Sequence, residues 1–241
     1  PSPRDKPPPA EPRLDVERLR DTSTRHRQVV QGIAARFPRA AAPTAAARPP
    51  IFTLLLSPRC FIGPADLCET LLEPAGACAD GDASACLAVG QYIADTPPRS
   101  SIAMSFFRKG CELGDAESCE RIKPPAEGEV IDCAVDLMRC AVQARKQNDR
   151  VRGAEACDRG VADACDFMMR EAAIARDRDL VRTYLTKGCQ LGSPMLCQML
   201  GDRLSPGCTG DCLPPDAERA AAAWAFACES GLESACAGRA P

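Results

Sequence analysis

The chain has 241 residues and a formal net charge of −3; hydrophobic residues make up 45% of it and aromatics only 4%. That share is enough to bury a core, but one filled by Ala, Leu, Val and Cys suits thin, closely packed helices better than a broad sheet sandwich. No run of about 18 apolar residues is present to span a membrane, and sixteen cysteines, an even and elevated number, point to disulfides and exclude a reducing compartment.

In chain order, residues 1–50 form a distinct arm. They carry ten Lys/Arg against five Asp/Glu, a net of +5, which leaves −8 for the remainder of the chain. A basic arm and an acidic body can associate with each other, or the arm can seek an acidic partner. The chain opens at Pro1 rather than methionine, which leads us to expect a processed product. Pro1 to Pro12 is proline-rich and extended in character. Leu14 to Phe37 reads as a helix with Leu14, Leu19, Val30, Ile33 and Phe37 on a loose apolar stripe, and Pro38 to Pro50 as an Ala/Pro/Arg linker. On composition the whole arm reads as disordered unless it has something to lie on. The apolar run Ile51 to Leu56 is expected to pack against the first helix pair.

From Cys60 onward one pattern organises the chain. The motif C-x2-G-x4-C recurs six times: Cys60-Gly63-Cys68, Cys78-Gly81-Cys86, Cys111-Gly114-Cys119, Cys157-Gly160-Cys165, Cys189-Gly192-Cys197 and Cys228-Gly231-Cys236. In a continuous helix, residues eight apart are separated by about 12 Å of axial rise, whereas a disulfide tolerates a Cα separation of at most about 7 Å. The chain must reverse between the two cysteines. The glycine three residues after the first is suited to end a helix in the left-handed region. Asp82-Ala83, Asp115-Ala116 and Ser193-Pro194 then read as starts of the next helices, with Asp or Ser at the N-cap and Pro at the first helical position. Each unit is predicted as helix, tight turn, helix, clipped by a disulfide that removes about 2.5 kcal/mol of unfolded-state entropy.

The first cysteines of successive units are spaced 18, 33, 46, 32 and 39 residues apart. Eighteen residues cannot hold two full helices, so the Cys60–Cys68 unit is expected to be a truncated cap. The interval of 46 hides an extra element from about Ile131 to Ala144, carrying Cys133 and Cys140. Residues seven apart sit about 10 Å apart along a helix. Either that helix breaks, or these two thiols pair elsewhere. Cys208 and Cys212 lie in the Gly/Pro-rich loop from Ser205 to Pro215 and read as a loop-closing disulfide.

The helices before the turns are alike. Ala103 to Cys111 reads A-x2-F-F-x-K-G-C, Val181 to Cys189 repeats it with Tyr184-Leu185 at the aromatic positions, and Ala220 to Cys228 repeats it with Trp224. Their apolar residues share one helical face, the pattern of core packing. After the turns comes C-x2-[V/L]-G, ending at Gly90 and Gly201. A mid-helix glycine costs about 1 kcal/mol relative to Ala, tolerable where neighbouring helices approach closely. These motifs resemble the SEL-like repeat, a relative of the tetratricopeptide repeat, and most closely its disulfide-bearing branch in the Helicobacter cysteine-rich proteins. The family pattern is A-x2-[YF]-[YF]-x-K-A-C, a Gly-containing turn, then C-x2-L-G-x2-Y. Ala103, Phe106, Phe107, Lys109, Cys111, Gly114 and Cys119 match it, as do Tyr184, Lys187, Cys189, Gly192, Cys197, Leu200 and Gly201. The resemblance covers about residues 64–241 and implies a right-handed solenoid whose concave face contacts proteins. Ile93 and Leu204 replace the family's last tyrosine.

Catalytic signatures are missing from the sequence. The one histidine is His26, in the arm, so the repeats have no Cys-His or Ser-His-Asp pairing. There is no C-x-x-C and no S-x-x-K, and charges of both signs are interleaved with few aromatics. Asp115 and Glu117 read as helix-start residues. The expectation is an all-α, disulfide-clipped solenoid of antiparallel helix pairs over 51–241 with the arm 1–50 ahead of it. It should act as a non-catalytic interaction scaffold or accessory subunit, with no cofactor and no nucleic acid. Its partners would be other protein subunits held by the arm and one face of the solenoid. Periplasm, cell surface and extracellular space fit the cysteines, as does the mitochondrial intermembrane space. In the last of these the chain would be a respiratory-complex assembly factor or subunit. The Helicobacter resemblance adds a further alternative, weak β-lactam hydrolysis or binding.

Overall fold

In a computed structural model of the chain, the described residues are 14–22, 24, 67–96, 102–126, 128–134 and 136–237. They are helical, with no β-strand among them. Residues 16–22 of the arm form a short helix. Eleven further helices follow: α1 (Leu67–Ala79), α2 (Ala83–Asp95), α3 (Ile102–Glu112), α4 (Ala116–Ile122), α5 (Leu137–Gln147), α6 (Arg150–Asp158), α7 (Ala162–Ile174), α8 (Arg178–Gln190), α9 (Pro194–Leu204), α10 (Ala217–Glu229) and α11 (Glu233–Ala237). Except between α4 and α5, each helix packs mainly on the ones before and after it in the chain, the one-dimensional order of a helical repeat array.

The tight turns follow from their residues. Gly81, Gly114, Gly160, Gly192 and Gly231 all have positive φ, between 79° and 107°. In each turn the amide following the glycine donates back to a carbonyl five residues earlier, as Asp82 does to Ala77 and Ser193 to Gly188, both at 2.9 Å. This closes the outgoing helix with a Schellman motif. The incoming helix is capped at once: Asp82, Asp115 and Ser193 accept from the backbone amides of Ala85, Ser118 and Leu196. Two further turns, into α6 and α8, use Asn148 and Arg176 at positive φ instead of glycine, and Asp149 and Asp177 as caps. An Asn-Asp or Arg-Asp pair is a weaker written signal than C-x2-G, and these turns are found only in the fold.

Packing divides the array into two hydrophobic clusters. Leu71, Leu72, Ala75, Val89 and Phe106 centre the first, built from α1 to α3. The second runs from α5 to α11, includes Phe167, Leu185, Leu196, Leu200 and Phe226, and has Ala94 of α2 packed against its edge. Between them, α4 and α5 do not pack as the other consecutive helices do. The intervening loop is anchored by Gln143, which is 2% exposed. Its carbonyl accepts from the Ile131 amide at 2.9 Å and from Arg152 at 2.8 Å, and its amide donates to the Glu129 carbonyl.

The extra element expected from Ile131 to Ala144 therefore starts later. Residues 131–134 are non-helical and α5 begins at Leu137. Close approach explains both mid-helix glycines: a Cβ on Gly90 would lie 2.6 Å from the Phe107 ring, and one on Gly201 2.7 Å from Trp224.

Candidate interaction groove

The cysteines come together as follows. Cys78–Cys86, Cys111–Cys119, Cys157–Cys165, Cys189–Cys197 and Cys228–Cys236 are bonded across the tight turns, with Cα separations of 4.5–4.8 Å. Cys208–Cys212 closes its loop at 5.7 Å. Cys133 and Cys140 bond to each other at a Cα separation of 5.1 Å. They can do so because Cys133 precedes α5, so the two are not stacked along one helix. Cys60 and the side chain of Cys68 lie outside the described residues, as do the run Ile51–Leu56, His26, and Val30, Ile33 and Phe37 of the apolar stripe. Seven disulfides among the described residues are the signature of an oxidising compartment. No helix among them is long and apolar enough to cross a membrane.

The arm is held where it is described. Asp15 caps its helix, accepting from the Arg18 amide at 2.9 Å. With that cap, Leu14 and Leu19 occupy the two positions of a hydrophobic staple, which fixes the entry angle of the chain. Both leucines are buried in the second hydrophobic cluster. Thr22 is fully buried, and its hydroxyl donates to the Arg18 carbonyl at 2.7 Å. At the rim, Arg20 pairs with Glu218 of α10 at 3.1 Å. Both side chains are more than half exposed, so this pair contributes little, about 0–1 kcal/mol. Burial of the leucines holds the segment. The staple spacing L-D-x3-L was the signal available in the sequence, and the loose stripe ran past it.

The seat is a groove of the array. Leu14 shares a cavity of about 380 Å³ with Arg182 and Thr186 of α8, Leu200 and Leu204 of α9, Leu213 and its following prolines, and Asp216 and Arg219 at the start of α10. The side formed by the 205–216 loop is braced at several points. Leu213 donates to the Arg203 carbonyl at 2.8 Å and Asp216 to the Leu204 carbonyl at 2.9 Å. Cys208–Cys212 closes the loop, and Arg178 reaches Asp211 at 3.1 Å. Leu213 is thereby fixed as an apolar wall far from the C-x2-G-x4-C pattern. A second, polar hollow of about 450 Å³ on this loop is lined by Asp202, Arg203, Asp211 and Trp224 among others. There the Trp224 indole donates to Asp202 at 2.8 Å.

Titration follows the same structural logic. The Asp149 carboxyl is held below its ordinary range by the Arg152 amide it caps and by the Arg152 side chain. Hydrogen bonds from Ser84 and the Ala85 amide lower Asp82. Burial, with the charge of Asp158 nearby, raises the Tyr184 phenol. These are capping and packing effects. No group of three or more metal-ligating side chains is assembled among the described residues. What the arrangement offers is a disulfide-braced groove with leucines on its floor and charged side chains on its rim, against which Leu14 rests. No family model, curated protein or solved structure matches the chain.

Proposed function

We propose that the chain is a non-catalytic interaction scaffold or accessory subunit of a larger assembly in an oxidising compartment, its helix pairs wound as a right-handed solenoid of the SEL-like repeat class. The observation that carries this reading is the groove between α8, α9 and α10, where Leu14 of a helical segment lies beside Leu200, Leu204 and Leu213 while Leu19 is buried in the same hydrophobic cluster. A surface that buries leucines from an amphipathic helix is a recurring mode of protein recognition. The repeat motifs support the class, and the seven disulfides support periplasm, cell surface or secretion, with the mitochondrial intermembrane space as the alternative.

Native mass spectrometry of the protein purified from its source tests the reading. A complex of defined stoichiometry is the expected result, and a free monomer alone rejects it. The non-catalytic part is tested separately: turnover of nitrocefin by the purified chain would overturn it.

A further inference from the structure

We propose that the groove is a binding site for amphipathic helices of the L-D-x3-L kind, and that residues 14–22 are its intramolecular ligand, a plug that a competing helix displaces. The proposal rests on the scaffold reading and gives it a site, a ligand class and a means of regulation.

Three observations carry it. The segment presents a cap, Asp15, and a staple, Leu14 and Leu19, so it brings its own helical start and two apolar anchors. A helix of two turns is far too short to be stable alone in water, so its order depends on the groove. The groove does not depend on the segment in the same way: its walls are joined by the Cys189–Cys197 and Cys208–Cys212 disulfides and by backbone hydrogen bonds that involve no arm residue. A preformed seat and a ligand that orders only when seated make a reversible pair. At the rim, the exposed Arg20–Glu218 pair adds orientation and little strength.

Tethering makes filling of the groove by the plug intramolecular, so its occupancy does not depend on protein concentration. If the plug fills the groove about nine-tenths of the time, a competing helix binds about tenfold weaker than to an open groove.

The test uses the full-length oxidised chain and a labelled peptide with the sequence of residues 12–24. The variant carries Leu14→Asp and Leu19→Asp. The peptide should bind this variant about tenfold or more tighter than the native chain, and a peptide carrying the same two aspartates should bind neither. Equal affinity for variant and native chain, or no binding to a variant whose helicity and disulfide-intact mass match the native chain, would overturn the proposal. Should the variant not fold, the native chain still decides. At several-millimolar peptide, amide exchange within its own residues 16–22 should accelerate, and unchanged protection rejects displacement. A native dimer that the double substitution turns into a monomer would overturn the intramolecular assignment in favour of exchange between two copies. The peptide-affinity and amide-exchange outcomes do not bear on the composition of the native complex, so failure of the plug and failure of the scaffold reading are distinguishable.

Discussion

Ser118 is fully buried at the start of α4, and its hydroxyl has no hydrogen-bond partner. The equivalent positions of three other units, one residue before the second cysteine, hold Ala85, Ala164 and Ala235. A buried, unsatisfied hydroxyl costs about 1–3 kcal/mol, while the capping contact to Asp115 uses the Ser118 backbone amide and survives substitution. Ser118→Ala should therefore raise stability by about 1 kcal/mol in denaturant titration. Glycine positions split by cause. At Gly201 a Cβ would collide with Trp224, so the overpacking cost of Gly201→Ala, about 1–3 kcal/mol, set against the roughly 1 kcal/mol gained in helix propensity, should leave a net loss of up to about 2 kcal/mol in denaturant titration. At Gly81 a Cβ meets nothing within 4 Å, yet φ is +107°; there the cost of alanine is in the backbone alone. Asp149 supplies a pH signature. Its folded-state affinity for a proton is lowered, so its charge contributes stability above the ordinary carboxylate range, and that contribution is lost as pH falls through the folded value. Asp149→Asn retains a capping side chain and removes the charge. The stability gap between native chain and variant should be present at pH 7 and close on acidification, as read by thermal melts across pH.

At the scale of the elements, the motif C-x2-G-x4-C was legible because three local requirements coincide in nine residues: a disulfide's reach, a left-handed helix end and an N-cap. None of these depends on the rest of the chain. Each clip constrains the unfolded state by about 2.5 kcal/mol. Replacing the fully buried Cys189 and Cys197 together by Ala should cost at least about that much, the vacated sulfur volume adding to it. Urea unfolding of the oxidised variant measures it. The turns at Asn148 and Arg176 were not legible, since a non-glycine residue reaches positive φ only when the packing of the helices on either side requires it. Pairing of Cys133 with Cys140 is not written in the sequence for a related reason. It depends on α5 starting at Leu137, and that start is set by Asp136 capping the Arg139 amide and by Gln143 drawing the 129–131 loop onto the helix. In the arm, composition reads as disordered while the apolar stripe reads as a helix over 14–37; residues 16–22, within that span, are helical, because composition averages over fifty residues and carries no record of a staple confined to six.

For the whole molecule, two hydrophobic clusters with little packing between α4 and α5 predict unfolding in two steps. The single tryptophan, Trp224, packs against the second cluster. Its fluorescence should follow α5–α11 alone, while far-UV circular dichroism follows both halves, so the two denaturation curves should not superimpose. A coincident transition would show that the array is one cooperative unit. The sequence by itself determined the helical class and the positions of the five described tight turns that carry C-x2-G-x4-C, and it marked Gly90 and Gly201 as places where helices could approach closely. These are set by short-range sterics and spacing, written within a few residues. Tertiary structure alone decided the division into two clusters, the partner of Cys133 and the groove at which Leu14 lies. Each of these joins segments far apart in the chain: Leu14 meets Leu200 and Leu213 only once α8, α9 and α10 have stacked and the 205–216 loop has been braced. Local pattern carries no record of such long-range closure, because its free energy comes from burial that exists only in the assembled array.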